Sequence, residues 1–430
     1  MQQEEAAIIL EELRAAYPDK FASVNRVFSH IHRGDVIFIA SGCGEPQYLV
    51  QSLIEYVESH PKGFFDAEVL HLWSLGLAPY ADDIYARLRT TLRLTSSDVH
   101  RIDDYAGFHP EMKACHRLFQ EGLFSVVQGV GHPRSSREHP AAERDWQTAR
   151  PGDAHCPTGW IGRYADLACA REPGASPAAL VSTIAKPFGL IAERAIIPSI
   201  RSLRDAAIAT TAHSSEHAEA VRLITSPGDP APRSALELVR ASTATAHEVA
   251  RRLDAVSRAP AARYPDSRLA SHLRDVASLL RADAGFRIFY TDLGGDGFGG
   301  FDNHAFQRDH HASLLSQLSG AIAAFTDDLR RDALADRVAL MTVSEFGRTV
   351  TENGRHGTNH GAAAPVFLAG GALKGGLIGN HPDLRDLDND APRHHTDFRQ
   401  VYAAMLDNWL GCDSTAVLGE RFEPVDLFKA

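Results

Sequence analysis

The sequence predicts an α/β fold with a mostly parallel sheet, helices on both faces, and a small βαβ-like segment at the N-terminus. Two observations carry this prediction. Short apolar runs that end in glycines, such as residues 123–131 and 364–371, alternate with segments whose apolar residues share one helical face. In addition, the 430 residues suffice for one large domain or for two domains.

The first 85 residues show the order strand, turn, helix, strand. Residues 1–30 indicate a helix, and 35-DVIFIA-40 indicates a short buried strand. A glycine turn and a helix follow over residues 41–60, and 67-AEVLHLWSLG-76 is the next strand. Because neither strand contains proline, this order predicts a parallel βαβ unit.

The remaining chain alternates strands with helices. Strands are predicted over residues 123–131, 286–290, 338–343 and 364–371. Helical faces are marked by apolar residues at helical spacing, namely Leu269, Leu273, Val276 and Leu280, then Leu314, Leu315, Leu318, Ile322 and Phe325. A last helix covers residues 397–411, with Asp397 as its N-cap.

Charge and composition exclude several classes of protein. A formal net charge of -11 argues against binding to nucleic acid or to an anionic membrane, and no apolar run approaches a transmembrane span. The acidic N-terminus differs from the basic start of a secretory signal, so we expect a cytoplasmic protein. Five cysteines without a CxxC pair argue against disulfides and zinc ribbons.

Three predicted strand ends carry acids, imidazoles and a guanidinium. In open α/β sheets, ligands bind beyond the carboxyl ends of the strands. The relevant residues are Asp292, Asp302 and His304 after the strand 286–290, Glu345 and Arg348 after the strand 338–343, and His356, Asn359 and His360 before the strand 364–371. Carboxylates with imidazoles suit zinc or manganese, and Arg348 offers a planar fork for a phosphate or sulfate oxyanion.

Each of these residues also has a structural interpretation. An Asp after a strand often forms an Asx turn, Glu345 and Arg348 form a plausible ion pair, and His360 between asparagine and glycine can cap a turn. A separate cluster, Ser135, Ser136 and His139, places hydroxyl groups near an imidazole, although serine is common in loops.

From about residue 85 onwards the sequence resembles an uncharacterised bacterial family, domain of unknown function 1501, which is grouped with the alkaline phosphatase and sulfatase fold. The runs that carry the resemblance are 107-GFHPEM-112, 124-FSVVQGVGHP-133, 145-DWQTA-149, 159-GWIGRY-164, 299-GGFDNHAFQ-307, 343-VSEFGRTVTENG-354, 357-GTNHGAAAPVFLAGGALKGGLIG-379 and 396-TDFRQVYAAMLDNWLG-411. The resemblance implies an alkaline phosphatase-like core and a hydrolase in which divalent ions stabilise displacement at phosphorus or sulfur.

The resemblance also implies site residues. Asp302 and His304 take the place of the Asp and His ligands of one metal, Glu345 falls where relatives place an Asp–His pair, and His360 resembles the late histidine ligand. Arg348 would bind the oxyanion. The chain departs from the family pattern in having Asn359 instead of Asp, and it shows no counterpart of the Gly-Gly-Asn-Asp-Gly motif.

Residues 26–82 resemble the opening of the acetyl-CoA hydrolase/transferase family, on the runs 33-RGDVIFIASGCGEPQYLV-50 and 67-AEVLHLWSLGLAPYAD-82. The domains are therefore predicted as 1–82 and 83–430. The leading hypothesis is a metal-dependent hydrolase of small anionic phosphate or sulfate esters. The alternatives are a non-catalytic binding or structural protein, or a nonfunctional fusion, and a protein related to CoA-transferases that lacks the catalytic half. The sequence leaves the oligomeric state open.

Overall fold

The computed structural model describes residues 76–133, 135–171, 177–203, 240, 243, 263–293 and 300–429, together with two short strands nearer the N-terminus. The chain divides into two compact units, residues 1–71 and 72–430. In the first unit, β1 (Val36–Ile37) and β2 (Glu68–Val69) pair in parallel, in keeping with the predicted βαβ order. The helices predicted over residues 1–30 and 41–60 lie outside the described residues, and the predicted boundary after residue 82 stays a prediction.

The described part of the second unit begins with a small antiparallel sheet. It contains β3 (Leu77–Ala78), β4 (His100–Arg101) and β5 (Gly107–Phe108), with β5 in the middle. Between β3 and β4, helix α1 (Asp83–Leu88) begins at Asp82, whose carboxylate accepts hydrogen bonds from two backbone N–H groups of the first turn. Helix α2 (Lys113–Gln120) then leads into the central sheet.

Strand β6 (Phe124–Gly131) lies at the centre of the main sheet, and all eight of its residues are buried. On one side it pairs antiparallel with β11 (Ala364–Ala369), which pairs antiparallel with β10 (Leu340–Met341). On the other side, β12 (Gly376–Ile378) and β15 (Thr396–Asp397) pair with β6 in parallel. A short hairpin, β13 (Leu387–Asp388) with β14 (Ala391–Pro392), precedes β15.

A second sheet is parallel throughout. Its strands are β7 (Ala178–Val181) in the middle, β8 (Ser199–Ile200) and β9 (Ile288–Tyr290). The predicted mixed α/β composition is confirmed, but the described strands do not show the predicted predominance of parallel pairs. The physical reason is the connection between β10 and β11. It is a loop without a helix, and only a parallel pair requires a long crossover.

Helices cover both faces of the β7–β9 sheet. On one face, α5 (Arg268–Arg281) packs against α6 (Gln307–Arg331). On the other face lie α4 (Trp160–Arg171) and α7 (Phe398–Ala403). Helix α7 continues as a π-helical turn over Ala404–Trp409. The predicted apolar faces of α5 and α6 are largely buried, and the predicted N-cap Asp397 forms a capping box with Gln400. Helices α3 (His139–Thr148) and α8 (Ser414–Leu418) complete the set. Among the described helices, none is long and apolar enough to span a bilayer.

Candidate metal centre

The carboxylate of Asp302 is the hub of a cluster of imidazoles and one guanidinium. Asp302 is 3% exposed and lies in the loop between β9 and α6. Its Oδ1 atom accepts from the guanidinium of Arg348 and lies 2.9 Å from His304 Nε2 and 3.0 Å from His360 Nε2. Its Oδ2 atom lies 3.3 Å from His139 Nε2. Three imidazoles and one guanidinium therefore converge on one carboxylate.

A nearly equilateral triangle is formed by three atoms that could ligate a metal: Asp302 Oδ1, His304 Nε2 and His360 Nε2. His304 Nε2 and His360 Nε2 lie 2.8 Å apart, and both lie within 3.0 Å of Asp302 Oδ1. The side chain of His304 is 35% exposed, so the triangle is accessible to solvent from that side. Two imidazole nitrogens and a carboxylate oxygen in this arrangement form a donor set for a small cation.

The loop after β10 holds His360 in position. Arg348 and His360 form an antiparallel backbone bridge, and the His360 ring stacks on Phe346 with 4.2 Å between the ring centroids. His360 Nδ1 lies 2.5 Å from the carbonyl oxygen of Arg137. With an ion bound, a proton on Nδ1 would satisfy this carbonyl and leave the lone pair of Nε2 for the ion; without an ion, an Nε2–H group can donate to Asp302 Oδ1. Metal-binding histidines are commonly oriented by such a second hydrogen bond.

His139 connects Asp302 to Glu345. It is the first residue of α3, after the loop that follows β6, and its Nδ1 lies 2.9 Å from Glu345 Oε1. Burial lowers the pKa of His139, but the hydrogen bonds and negative charges of Asp302 and Glu345 outweigh burial and raise this pKa to about 9. His139 is thus the residue of this cluster that sequence reasoning missed as a ligand. One feature of the sequence could have identified it: His139 follows the C-terminal end of β6, whose residues are all buried, and ligands bind beyond such strand ends.

Burial and hydrogen bonding act in opposite directions on Asp302. Burial by itself raises its pKa, whereas the hydrogen bonds from His139, His304 and His360 and the positive charge of Arg348 lower it. The lowering prevails, and the pKa of Asp302 lies far below its usual range. Asp302 is therefore a carboxylate, the form that ligates a metal, throughout the neutral pH range.

The side chain of Arg348 is 1% exposed and is directed at the protein interior. Its Nε donates to Thr358 Oγ1 at 3.0 Å, and its terminal nitrogens donate to the Thr358 carbonyl and to Asp302. Thr358 Oγ1 in turn donates to Gln307 Oε1 at 2.8 Å. In this conformation the guanidinium holds Asp302, and the predicted contact with a substrate oxyanion stays a prediction.

The structure thus brings together Asp302, His304, His360, Glu345 and Arg348, with Glu345 one imidazole ring away from Asp302. Other residues that the sequence grouped with them have different partners. Asp292 pairs with Arg268 at 3.3 Å, and the amide of Asn359 accepts from Asn353 at 3.2 Å. In the serine cluster, Ser135 Oγ donates to the backbone of the next residue, as expected of a loop serine.

The donor set fits a divalent ion. In a tetrahedral zinc site with ligand bonds of about 2.0–2.1 Å, neighbouring ligand atoms lie about 3.3 Å apart, so a small expansion of the observed triangle would accommodate the ion. Asp302 Oδ1 can accept from Arg348 and still offer a lone pair, because an ionised carboxylate has about four acceptor sites. Histidine-rich sets of this kind suit zinc better than calcium or magnesium.

The fold and the cluster define a mixed α/β protein with a carboxylate–imidazole centre. The sequence model of the family described as Protein of unknown function (DUF1501) matches residues 129–420, and the chain belongs to this family. The matched region contains every residue of the cluster. A second model, the acetyl-CoA hydrolase/transferase N-terminal domain, matches residues 4–101, so both predicted resemblances are confirmed. No curated protein and no solved structure gives a significant match.

Proposed function

We propose that the protein is a metal-dependent hydrolase of phosphate or sulfate esters, with a zinc or manganese ion held by Asp302, His304 and His360. The observation that carries this proposal is the triangle of one carboxylate oxygen and two imidazole nitrogens, with edges of 2.8, 2.9 and 3.0 Å. The reaction class is proposed from the resemblance read from the sequence, which implies an alkaline phosphatase-like core and hydrolysis at phosphorus or sulfur. A small anionic ester is the substrate that such a centre would bind.

The protein residues have distinct tasks in this proposal. Asp302 contributes the anionic ligand atom, and Arg348 keeps its carboxylate in place from the buried side. The carbonyl of Arg137 fixes the His360 ring. When bound, a divalent ion polarises a phosphoryl or sulfuryl oxygen and lowers the pKa of a coordinated water. The partly exposed His304 marks the side from which an ester could approach.

His139 and Glu345 extend the centre at the Oδ2 atom of Asp302, where the His139 ring also lies against the His360 ring, with 4.6 Å between the centroids. We assign His139 as a further candidate ligand through Nε2, which would release its proton when the ion binds, with Glu345 orienting its ring through Nδ1. The direct ligation by Glu345 that the sequence predicts would require His139 to leave this contact. The geometry therefore favours a positioning role for Glu345.

The direct test is the metal content of the purified full chain, measured by inductively coupled plasma mass spectrometry after dialysis against zinc or manganese. Hydrolysis of p-nitrophenyl phosphate and p-nitrophenyl sulfate is then followed with each ion. We expect stoichiometric metal and metal-dependent turnover in the wild type, and loss of both in His360→Ala. His155→Ala is the matched control, because His155 is an exposed histidine outside the cluster. A wild type that binds neither ion refutes the proposal.

A non-catalytic role is the second candidate, and the Arg348–Asp302 pair favours it. This guanidinium already neutralises the carboxylate, so the cluster is electrostatically satisfied as a structural network. A protein that remains free of metal, has no turnover, and is nevertheless destabilised by Asp302→Asn would support this alternative.

The match over residues 4–101 favours a third candidate, CoA binding near the N-terminus. Specific retention of the full chain on immobilised CoA, with elution by free CoA, would support it. Failure to be retained would exclude it.

A further inference from the structure

A cavity of about 360 Å³ lies between β9 and β10 and is separate from the cluster around Asp302. Its walls include every residue from Arg287 to Leu293 and from Arg337 to Ser344. Strand β9 pairs with β7, and β10 pairs with β11. Within the described part of the chain, no strand pairs with the other edge of either. Two strand edges therefore face one cavity.

The two strands belong to the same layer of the fold. Ile288 of β9 and Met341 of β10 both pack against the apolar cluster beside α4 and α7. Phe289 and Leu340, the alternate residues, both pack against the cluster beside α5 and α6. Since successive side chains of a strand point to opposite faces of its sheet, β9 and β10 separate the same two clusters. The main sheet and the parallel sheet are thus two parts of one layer, interrupted at the cavity.

Backbone amides on both edges are directed into this interruption. The amide N–H groups of Arg287 and Ile288 both donate to Pro177 beside β7, at 2.8 and 3.0 Å. From Ile288 onwards β9 keeps a regular parallel register with β7, so the amide of the next residue, Phe289, points away from β7. In the same way, the amide N–H of Thr342 donates to β11 at 2.9 Å, so that of Met341 points away from β11. Both amides therefore point towards the cavity, where a strand between them would form a backbone ladder on each side.

The charges of the cavity wall favour an acidic occupant. Arg287 and Arg337, which precede the two strands, line the cavity and are exposed. The carboxylate of the wall, Asp292, is already paired with Arg268 at 3.3 Å. The remaining charge of the wall is positive and is complementary to an acidic residue at one end of the occupant.

We propose that the gap between β9 and β10 binds an extended peptide strand of another polypeptide. The strand would contain about five residues, apolar on both faces and flanked by an acidic residue, and would complete the layer by β-augmentation. An acyl chain would fill the same apolar walls, but it would leave the inward-facing amides of both edges without hydrogen-bond partners. The backbone geometry therefore favours a peptide over a lipid.

The test uses the full chain and two synthetic peptides, acetyl-EEVIVIVS-amide and acetyl-SVIVIVEE-amide, which carry the acidic flank at opposite ends. Binding is measured by fluorescence, because Trp160 and Trp409 line the cavity, and located by hydrogen–deuterium exchange. We expect one of the peptides to bind and to slow exchange over residues 287–293 and 337–344. A version N-methylated at alternate residues should lose binding, because it cannot form a ladder on one edge.

Charge reversal provides the second arm. The variant Arg287→Glu with Arg337→Glu should bind the acidic peptide about tenfold more weakly, and Arg421→Glu, an exposed arginine outside the cavity, should bind it like the wild type. Dodecanoate is the lipid probe. The proposal is overturned if neither peptide binds at millimolar concentration, if the N-methylated peptide binds equally well, or if only dodecanoate protects the two segments.

Discussion

Arg348 and Asp302 form a contact ion pair in which the two side chains are 1% and 0% exposed. Each charge is costly to bury alone, and each is present because the other neutralises it. Thr358 contributes two further acceptors to the guanidinium, and the three imidazoles surround the carboxylate. The pair therefore anchors the loop after β9 to the loop after β10, and so holds the candidate ligands together.

Replacing Arg348 should unfold the protein more readily. Arg348→Met removes the guanidinium from the buried Asp302 carboxylate, and we expect the free energy of unfolding to fall by about 3–5 kcal/mol. Urea denaturation followed by circular dichroism measures this change. Arg393→Met removes an exposed partner of Asp386, 2.8 Å away, and should leave the free energy of unfolding almost unchanged, because solvent screens an exposed ion pair. Similar losses for the two variants would contradict a structural role for the buried pair.

Zinc should stabilise the folded protein through the Asp302–His304–His360 triangle. An ion that binds only the native state adds about 2.7 kcal/mol at a hundred times its dissociation constant, so the melting temperature should rise. Differential scanning fluorimetry with zinc, and then with EDTA in excess, measures the rise and its reversal. His155→Ala should respond like the wild type, whereas a zinc response that persists in His360→Ala would place the ion elsewhere.

The role of Glu345 can be separated from that of the ligands. Glu345→Gln keeps an acceptor for His139 Nδ1 but removes the negative charge, so zinc affinity should fall by about tenfold. His360→Ala removes a donor atom of the triangle and should abolish stoichiometric binding. Competition with a fluorescent zinc chelator measures both. If Glu345→Gln binds zinc as weakly as His360→Ala, Glu345 is a direct ligand, as the sequence predicts.

The sequence predicts those site residues that directly follow a recognisable strand. Asp302 and His304 follow β9, and Glu345 and Arg348 follow β10. Because ligand sites form beyond strand ends, the sequence alone suffices to group these residues. It does not suffice for His139, whose contact with Glu345 spans 206 residues. The position of His139 depends on β6 lying beside β11, a pairing that no local pattern specifies.

The direction of the strands is harder to predict than their existence. The apolar runs around β6, β9 and β11 indicate strands correctly, because a buried strand needs apolar residues whichever way its neighbour runs. The parallel arrangement is inferred from alternation with helices. That rule fails between β10 and β11, where the site loop takes the place of a helix.

The carboxylate of Glu352 holds the loop after β10 in place, and acid should protonate it. Glu352 accepts from the backbone N–H groups of Thr91 and Leu92 at 2.8 and 2.9 Å. Although burial raises the pKa of Glu352, these bonds and those with Thr91 Oγ1 and His356 lower it to about 2. Because the folded pKa is below the unfolded one, this stabilisation is complete above pH 4.5 and is lost as pH falls towards 2.

Glu352→Gln should therefore be less stable than the wild type by about 2 kcal/mol at pH 7, with the difference shrinking below pH 4. Urea denaturation at pH 7, 5 and 3.5 measures this trend. Asp386→Asn, at an exposed carboxylate, is the control and should show a smaller difference. If the stability difference between Glu352→Gln and the wild type does not change with pH, the stabilisation does not come from the ionised carboxylate of Glu352.

The close approach of Gly347 to β11 is required for the geometry of the site. A Cβ atom at Gly347 would lie 1.7 Å from the carbonyl oxygen of Ala363, so the loop that carries Glu345 and Arg348 would have to move. Gly354, in the same loop, has no atom within 4 Å of such a Cβ. We expect Gly347→Ala to lower the free energy of unfolding by about 3 kcal/mol and to weaken zinc binding, because overpacking against backbone cannot be relieved by a side-chain rotation. Gly354→Ala should change neither by more than about 0.5 kcal/mol. Urea denaturation and the chelator competition measure both properties, and equal behaviour of the two variants would show that the loop is not held by this contact.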